Sequence, residues 1–282
     1  MRRPQWITAA IAVGMVVCVY AATVNDIFGD KVKKIAAEGQ PTASVITIDS
    51  ILVHAKEKLT SAQETRLNFL ENSISRGDVL AQKIHIYHQL ARFWSDSVRA
   101  FEPYGWYTAE AARLENSEKS LTFAAHLFLE NLKGEENPAL KQWKALQAKD
   151  LFERSLKVSQ HNDSSEVGLG AVYLYGGIGT PMEGIQRIRK VADEHPDNVY
   201  AQMTLGHASI LSGQFEKGAE RFEKVLKLEP NNLEAVLSLA DAYERNGDKI
   251  QAIQKYKESL ALISIPGLRA EVEDRIVELQ KK

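Results

Sequence analysis

The chain has 282 residues, 44% of them hydrophobic and 26% charged, a composition that folds. Its formal net charge is −2 and no stretch concentrates Lys and Arg, which argues against a nucleic-acid backbone as partner. The lone cysteine, Cys18, permits neither an intramolecular disulfide nor a cysteine-based zinc site, and no cofactor or metal is expected.

Residues 4–25 carry no charge, and residues 7–24 are almost wholly apolar. As a helix, that run reaches about 27 Å, close to the thickness of a bilayer core. Trp6 and Tyr20 stand near its ends, where aromatic rings favour the interface. The expectation is a single-span membrane anchor over 1–24. A cleaved signal peptide competes, because Val19-Tyr20-Ala21 offers small residues after Arg2, Arg3 and an apolar run. A lipoprotein reading at Cys18 lacks the small residue normally found just ahead of the cysteine. Arg2 and Arg3 favour an inside N-terminus, although Lys31, Lys33 and Lys34 pull the other way. Residues 25–44, with Gly39 and Pro41, read as a linker.

Beyond the linker, good helix formers dominate. Apolar spacing at Ile48, Ile51, Leu52, Ala55 and Leu59, then Leu67, Leu70 and Ile74, predicts two helices within 44–75. Segments 79–97 and 108–115 suggest a hairpin. A helix over 117–132 then pairs, across a polar connection at 134–138, with one carrying Ala148, Phe152 and Ser155. Region 45–160 is therefore taken as divergent helical hairpins.

Within 161–282 a period appears. Leu205-Gly206 recurs as Leu239-Ala240, Gly213 as Gly247, Gly218 as Ala252, Phe222 as Tyr256 and Pro196 as Pro230, each pair 34 residues apart. The leucines point into a hairpin, and the small residues let its two helices approach closely. The glycines end the first helix in a left-handed conformation, and the prolines stop the second. A looser copy precedes these units, with Leu169-Gly170 and Tyr173 in its first helix and Gly184, Ile188 and Val191 in its second. A long turn at 175–179 joins them, and Thr180, Pro181 and Glu183 form a helix-start signal. The units fall at about 163–196, 199–232 and 233–266. Leu268, Val272, Ile276 and Leu279 then make one apolar stripe, the mark of a capping helix.

This spacing resembles the tetratricopeptide-repeat family. The resemblance implies an all-α fold, a solenoid of about five helical hairpins with a capping helix after the last. Gln202 and Val236 depart from the family's early aromatic, and Ser209 stands where the next unit has Tyr243. By repeat register the family's inner groove falls on Tyr200, Met203, His207 and Ile210, then Glu234, Leu237, Asp241 and Glu244. Family members that clamp a peptide carboxylate place Lys and Asn at the fifth and ninth positions. Here Met203 and His207, then Leu237 and Asp241, occupy them, so an acidic peptide terminus is not the expected partner. The groove suits an apolar or basic protein segment instead, with no small-molecule substrate. In layout the chain looks like bacterial envelope proteins of this family that assist assembly or translocation of others. That implies a periplasmic domain, either anchored or released by signal-peptide cleavage.

Other chemistry is weakly signalled. His85 and His88 share a helix face but lack a third ligand in sequence. Gly168, Gly170 and the Gly176-Gly177-x-Gly179 turn lack the lysine and the strand of a phosphate loop. Tyr104, Trp106 and Tyr107 either fill a hairpin junction or present an aromatic binding patch. The expected scaffold is not an enzyme. Its rivals are an enzyme with a site in 77–160 around His85, His88 and Trp94, and a structural subunit of a self-associated membrane complex.

Overall fold

A computed structural model describes residues 46–76 and 79–281. Among them are thirteen α-helices and one π-helical turn, with no strand. The expected membrane anchor, the linker and Cys18 lie outside the described residues. Among those described, no helix is long and apolar enough to cross a membrane.

The helices are α1 (Ile48–Lys56), α2 (Ser61–Arg76), α3 (Leu80–Arg92), which runs into the π-turn Phe93–Val98, and α4 (Phe101–Glu115). Next come α5 (Glu118–Lys133), α6 (Pro138–Val158), α7 (Asp163–Tyr175), α8 (Pro181–Glu194) and α9 (Val199–Leu211). The chain ends with α10 (Phe215–Leu228), α11 (Leu233–Asn246), α12 (Lys249–Ser259) and α13 (Pro266–Lys281). Consecutive helices pack as the pairs α3–α4, α5–α6, α7–α8, α9–α10 and α11–α12, and α13 lies on α12. The first helices α5, α7, α9 and α11 also touch one another in series, so they share one side of the array.

Local chemistry sets these boundaries. The Asn198 side chain accepts the Ala201 N–H at 2.9 Å, and 34 residues later Asn232 accepts that of Ala235 at 2.9 Å. Each satisfies an amide that the first helical turn leaves without an acceptor. Thr180 likewise accepts from the Glu183 N–H, with Pro181 in the first turn. Gly213 and Gly247 close α9 and α11 at φ of 74° and 90°, where any side chain would be strained.

Packing then follows the small residues. Gly170 on α7 and Gly184 on α8 face each other so closely that a Cβ on Gly184 would stand 2.3 Å from the Gly170 carbonyl oxygen. One unit on, a Cβ on Gly206 would meet the Phe222 ring at 2.5 Å, so the glycine makes room for the ring within its own hairpin. The core is accordingly a series of clusters between neighbouring helices rather than one centre, as repeat architectures require. Val272, Ile276 and Leu279 of α13 bury against Ala240, Ala252 and Tyr256 and close the last cluster.

Two features depart from the sequence expectation. Helix α4 starts at Phe101, well before residue 108, because Pro103 falls in the first turn, where its missing N–H has no intrahelical acceptor to lose. Helix α3 widens into a π-turn that ends at Arg99, with φ of 60°. The wider turn brings the adjacent Phe93 and Trp94 both into the core, edge to face with centroids 5.4 Å apart.

Candidate functional site

The first helices supply a cavity of about 480 Å³. Glu130 and Lys133 enter from the end of α5, Ala171 and Tyr175 from α7, and Val199, Tyr200, Met203, Thr204 and His207 from α9. Asn232 and Glu234 complete it at the start of α11. Four consecutive hairpins thus contribute to one hollow, which no single repeat could form. A larger cavity of about 550 Å³ lies between α1 and the start of α4, and its lining includes Ile51, Val98, Phe101 and Leu140.

Tyr200 is one of the residues that line the first cavity. Its ring packs edge to face on His126, with centroids 5.5 Å apart, and its buried hydroxyl has no hydrogen-bond partner. His126 is fixed in turn by the Ser164 hydroxyl at 2.9 Å and by the Phe152 ring, and burial lowers its pKa. Burial, then the charges of Glu130 and Glu234, push the Tyr175 hydroxyl up to about 12. Burial and then Glu130 raise that of Tyr200 as well. Both phenols therefore stay protonated at neutral pH. At the rim the Lys133 ammonium pairs with Glu130 at 2.8 Å and lies 5.8 Å from the Tyr175 ring centre. His207 Nε2 stands 3.3 Å from Glu234, whose pKa is lowered first by this hydrogen bond.

Of the eight residues expected in the groove, the structure brings Tyr200, Met203, His207 and Glu234 together. Met203, only 6% exposed, is chiefly a wall residue packed in the core with Phe222 and Leu239, so it cannot serve as an open contact. The other four belong elsewhere. Ile210 packs over Gly218, and Leu237 packs against the capping cluster. Asp241 pairs with Arg245 one turn along the same helix. Glu244 is held by Arg275 of α13 and by the Tyr256 hydroxyl, because the capping helix docks where a further repeat would leave a groove. Sequence reasoning missed Glu130, Lys133 and Tyr175. Tyr175 was the legible one, since it ends the first helix of the looser unit.

Tyr104, Trp106 and Tyr107 form no exposed aromatic patch. Helical geometry turns them to different neighbours: Tyr107 is 5% exposed and its hydroxyl donates to Glu71, while Trp106 is half-buried under the Arg113 guanidinium, 5.5 Å from the ring centre. Tyr104 is half-buried beside Phe101. The residues named for the rival enzyme site do not converge either. His88 pairs with Glu115 at 2.7 Å, His85 contacts Gln89, and Trp94 is fully buried. Among the described residues, no group of three or more His, Cys, Asp or Glu could hold a metal ion.

A family model described as tetratricopeptide repeat matches residues 209–260, the end of α9 through α12. No curated protein matches the chain. Among solved structures, MamA from residue 41 to its end, from Desulfovibrio magneticus RS-1, is similar at 23% identity, with 66% of this chain and 96% of that one covered and a TM-score of 0.45. YrrB, described as a TPR protein with an unusual peptide-binding site, is similar at 14% identity, over 73% of this chain and 97% of that one, with a TM-score of 0.43. PilF from Pseudomonas aeruginosa is similar at 17% identity, over 72% of this chain and 86% of that one, with a TM-score of 0.49.

Proposed function

We propose that this chain is a protein-binding scaffold whose first-helix cavity receives a segment of another protein. The observation that carries this reading is the cavity itself, built from four consecutive hairpins and lined by Tyr175 and Tyr200. The match of residues 209–260 to a tetratricopeptide-repeat model supports the same reading. The apolar run at 7–24 supports a further step: an N-terminal helix anchors the scaffold in a membrane with its helical array outside the cytoplasm, where it assists assembly or translocation of envelope proteins.

In-cell crosslinking tests both steps. A photoreactive residue replaces Glu234, exposed at the cavity rim, or Lys224, exposed on the second helix α10. The expected result is a small set of identifiable adducts at 234, recovered in membrane fractions and absent at 224. Equal adducts at both positions, or none at 234, would overturn groove binding. Recovery of the chain only in soluble fractions would overturn the anchor.

A further inference from the structure

We propose that the cavity seats a cationic side chain, arginine or lysine, of the bound segment between Tyr175 and Tyr200, with Glu130 and Glu234 as counter-charges. This deepens the groove reading and rests on it.

The chain itself shows what the hollow accepts. The Lys133 ammonium already sits against the Tyr175 face while paired with Glu130. An ammonium over an aromatic ring is attracted by the negative face of the π-system, and a nearby carboxylate adds to that attraction. Lys133 is a chain-borne occupant held from the rim, with 41% of its side chain in solvent, so an incoming cation can displace it.

The charge balance points the same way. Two carboxylates line the cavity against one lysine, and His207 is the other titratable nitrogen there. Their influence reaches inward, since Glu130 and Glu234 both add to the raised pKa of the Tyr175 hydroxyl. An acidic side chain entering this space would meet the same repulsion. Tyr200 lines the same cavity as Tyr175, so an entering cation meets a second aromatic side chain there.

The test uses the full-length chain with 13C-labelled tyrosine and Nα-acetyl-argininamide as the probe. Tyr175→Phe and Tyr200→Phe assign the two ring signals. Saturable shifts of both rings are expected with the arginine probe and with its lysine analogue, and not with the isosteric, uncharged citrulline amide. Glu130→Gln with Glu234→Gln should weaken binding at least tenfold; both side chains are more than half exposed, so the fold is retained. Lys133→Met should tighten it severalfold by removing the internal competitor. Absence of saturable shifts, an equal response to citrulline, or binding that survives the double Gln change would each overturn the cation seat. Specific adducts at 234 alongside such a result would leave the groove reading standing without it. Absence of adducts would remove both.

Discussion

Lys144 illustrates how one residue joins two hairpins. Its ammonium, 3% exposed, bonds Glu135 at 2.5 Å and Glu102 at 2.9 Å and lies 5.1 Å from the Phe101 ring centre. Helix α6 is thereby tied both to the start of α4 and to the turn before itself. Burying the ion is costly, and it is tolerated because both carboxylates are close. Lys144→Ala should cost about 3 kcal/mol in urea unfolding, since it leaves the half-buried Glu135 without its cation. Burial alone would raise the pKa of Glu135, but the Lys144 hydrogen bond and the Asn137 N–H outweigh it and hold the carboxyl below its usual value of 4.5. The stability this contributes is present above the unfolded pKa and lost as pH falls through the lower folded one. Wild-type stability should therefore fall on acidification through that window, and the variant should show a shallower acid limb. A variant as stable as wild type, or with the same acid limb, would show that the triad contributes nothing.

At the scale of elements, the Gly170–Gly184 contact sets how closely α7 and α8 cross. Gly184→Ala forces a methyl against the opposing backbone, which cannot rotate away, and should cost about 2–3 kcal/mol. Gly134→Ala, with open space around it, should stay within about 0.5 kcal/mol of wild type. Equal thermal midpoints for the two variants would refute the close-crossing account. This contact was legible because Gly184 falls 34 residues before the small position at Gly218, and Gly170 keeps the pattern of Gly206 two residues early. The π-turn at Phe93–Val98 was not, since nothing in hydrophobic spacing separates it from a plain α-helical end. The groove was half legible for a similar reason. Register names the helix face that carries Tyr200, His207 and Glu234, but it does not tell a wall residue such as Met203 from a rim residue. It is also blind to partners from upstream hairpins without a matching period, which is where Glu130 and Lys133 arise. Gln202, which stands where the resemblance implies an aromatic, is satisfied: buried, it accepts from Arg221 at 2.7 Å and donates to the Pro196 carbonyl at 2.9 Å.

For the molecule as a whole, a series of nearest-neighbour interfaces has an end that must be closed, and α13 closes it. Its Val272, Ile276 and Leu279 are each buried, worth about 2 kcal/mol apiece by apolar transfer. Deleting residues 265–282 should uncover Ala240, Ala252 and Tyr256 and turn the last hairpin into an adhesive surface. Light scattering on the eluting peak should then report a larger assembly than the full chain forms under the same conditions. Arg275→Ala separates the charge contact from the apolar stripe, because it frees Glu244 while leaving the three buried side chains in place. That variant should stay as monodisperse as wild type yet lose hydrogen-exchange protection along α13. Acid should act on the wild type in the same way. Burial works to raise the pKa of Glu244, but Arg275 and the Tyr256 hydroxyl lower it below 4.5, so its hold on the cap persists above the ordinary carboxylate range and is lost as pH falls through the depressed value. Protection factors in α13, taken against the intrinsic exchange rate at each pH, should therefore fall on acidification in wild type and be already low, and less dependent on this carboxylate, in the variant. If instead the Arg275 variant self-associates as the deletion does, the ion pair and not the apolar stripe is what keeps the cap closed.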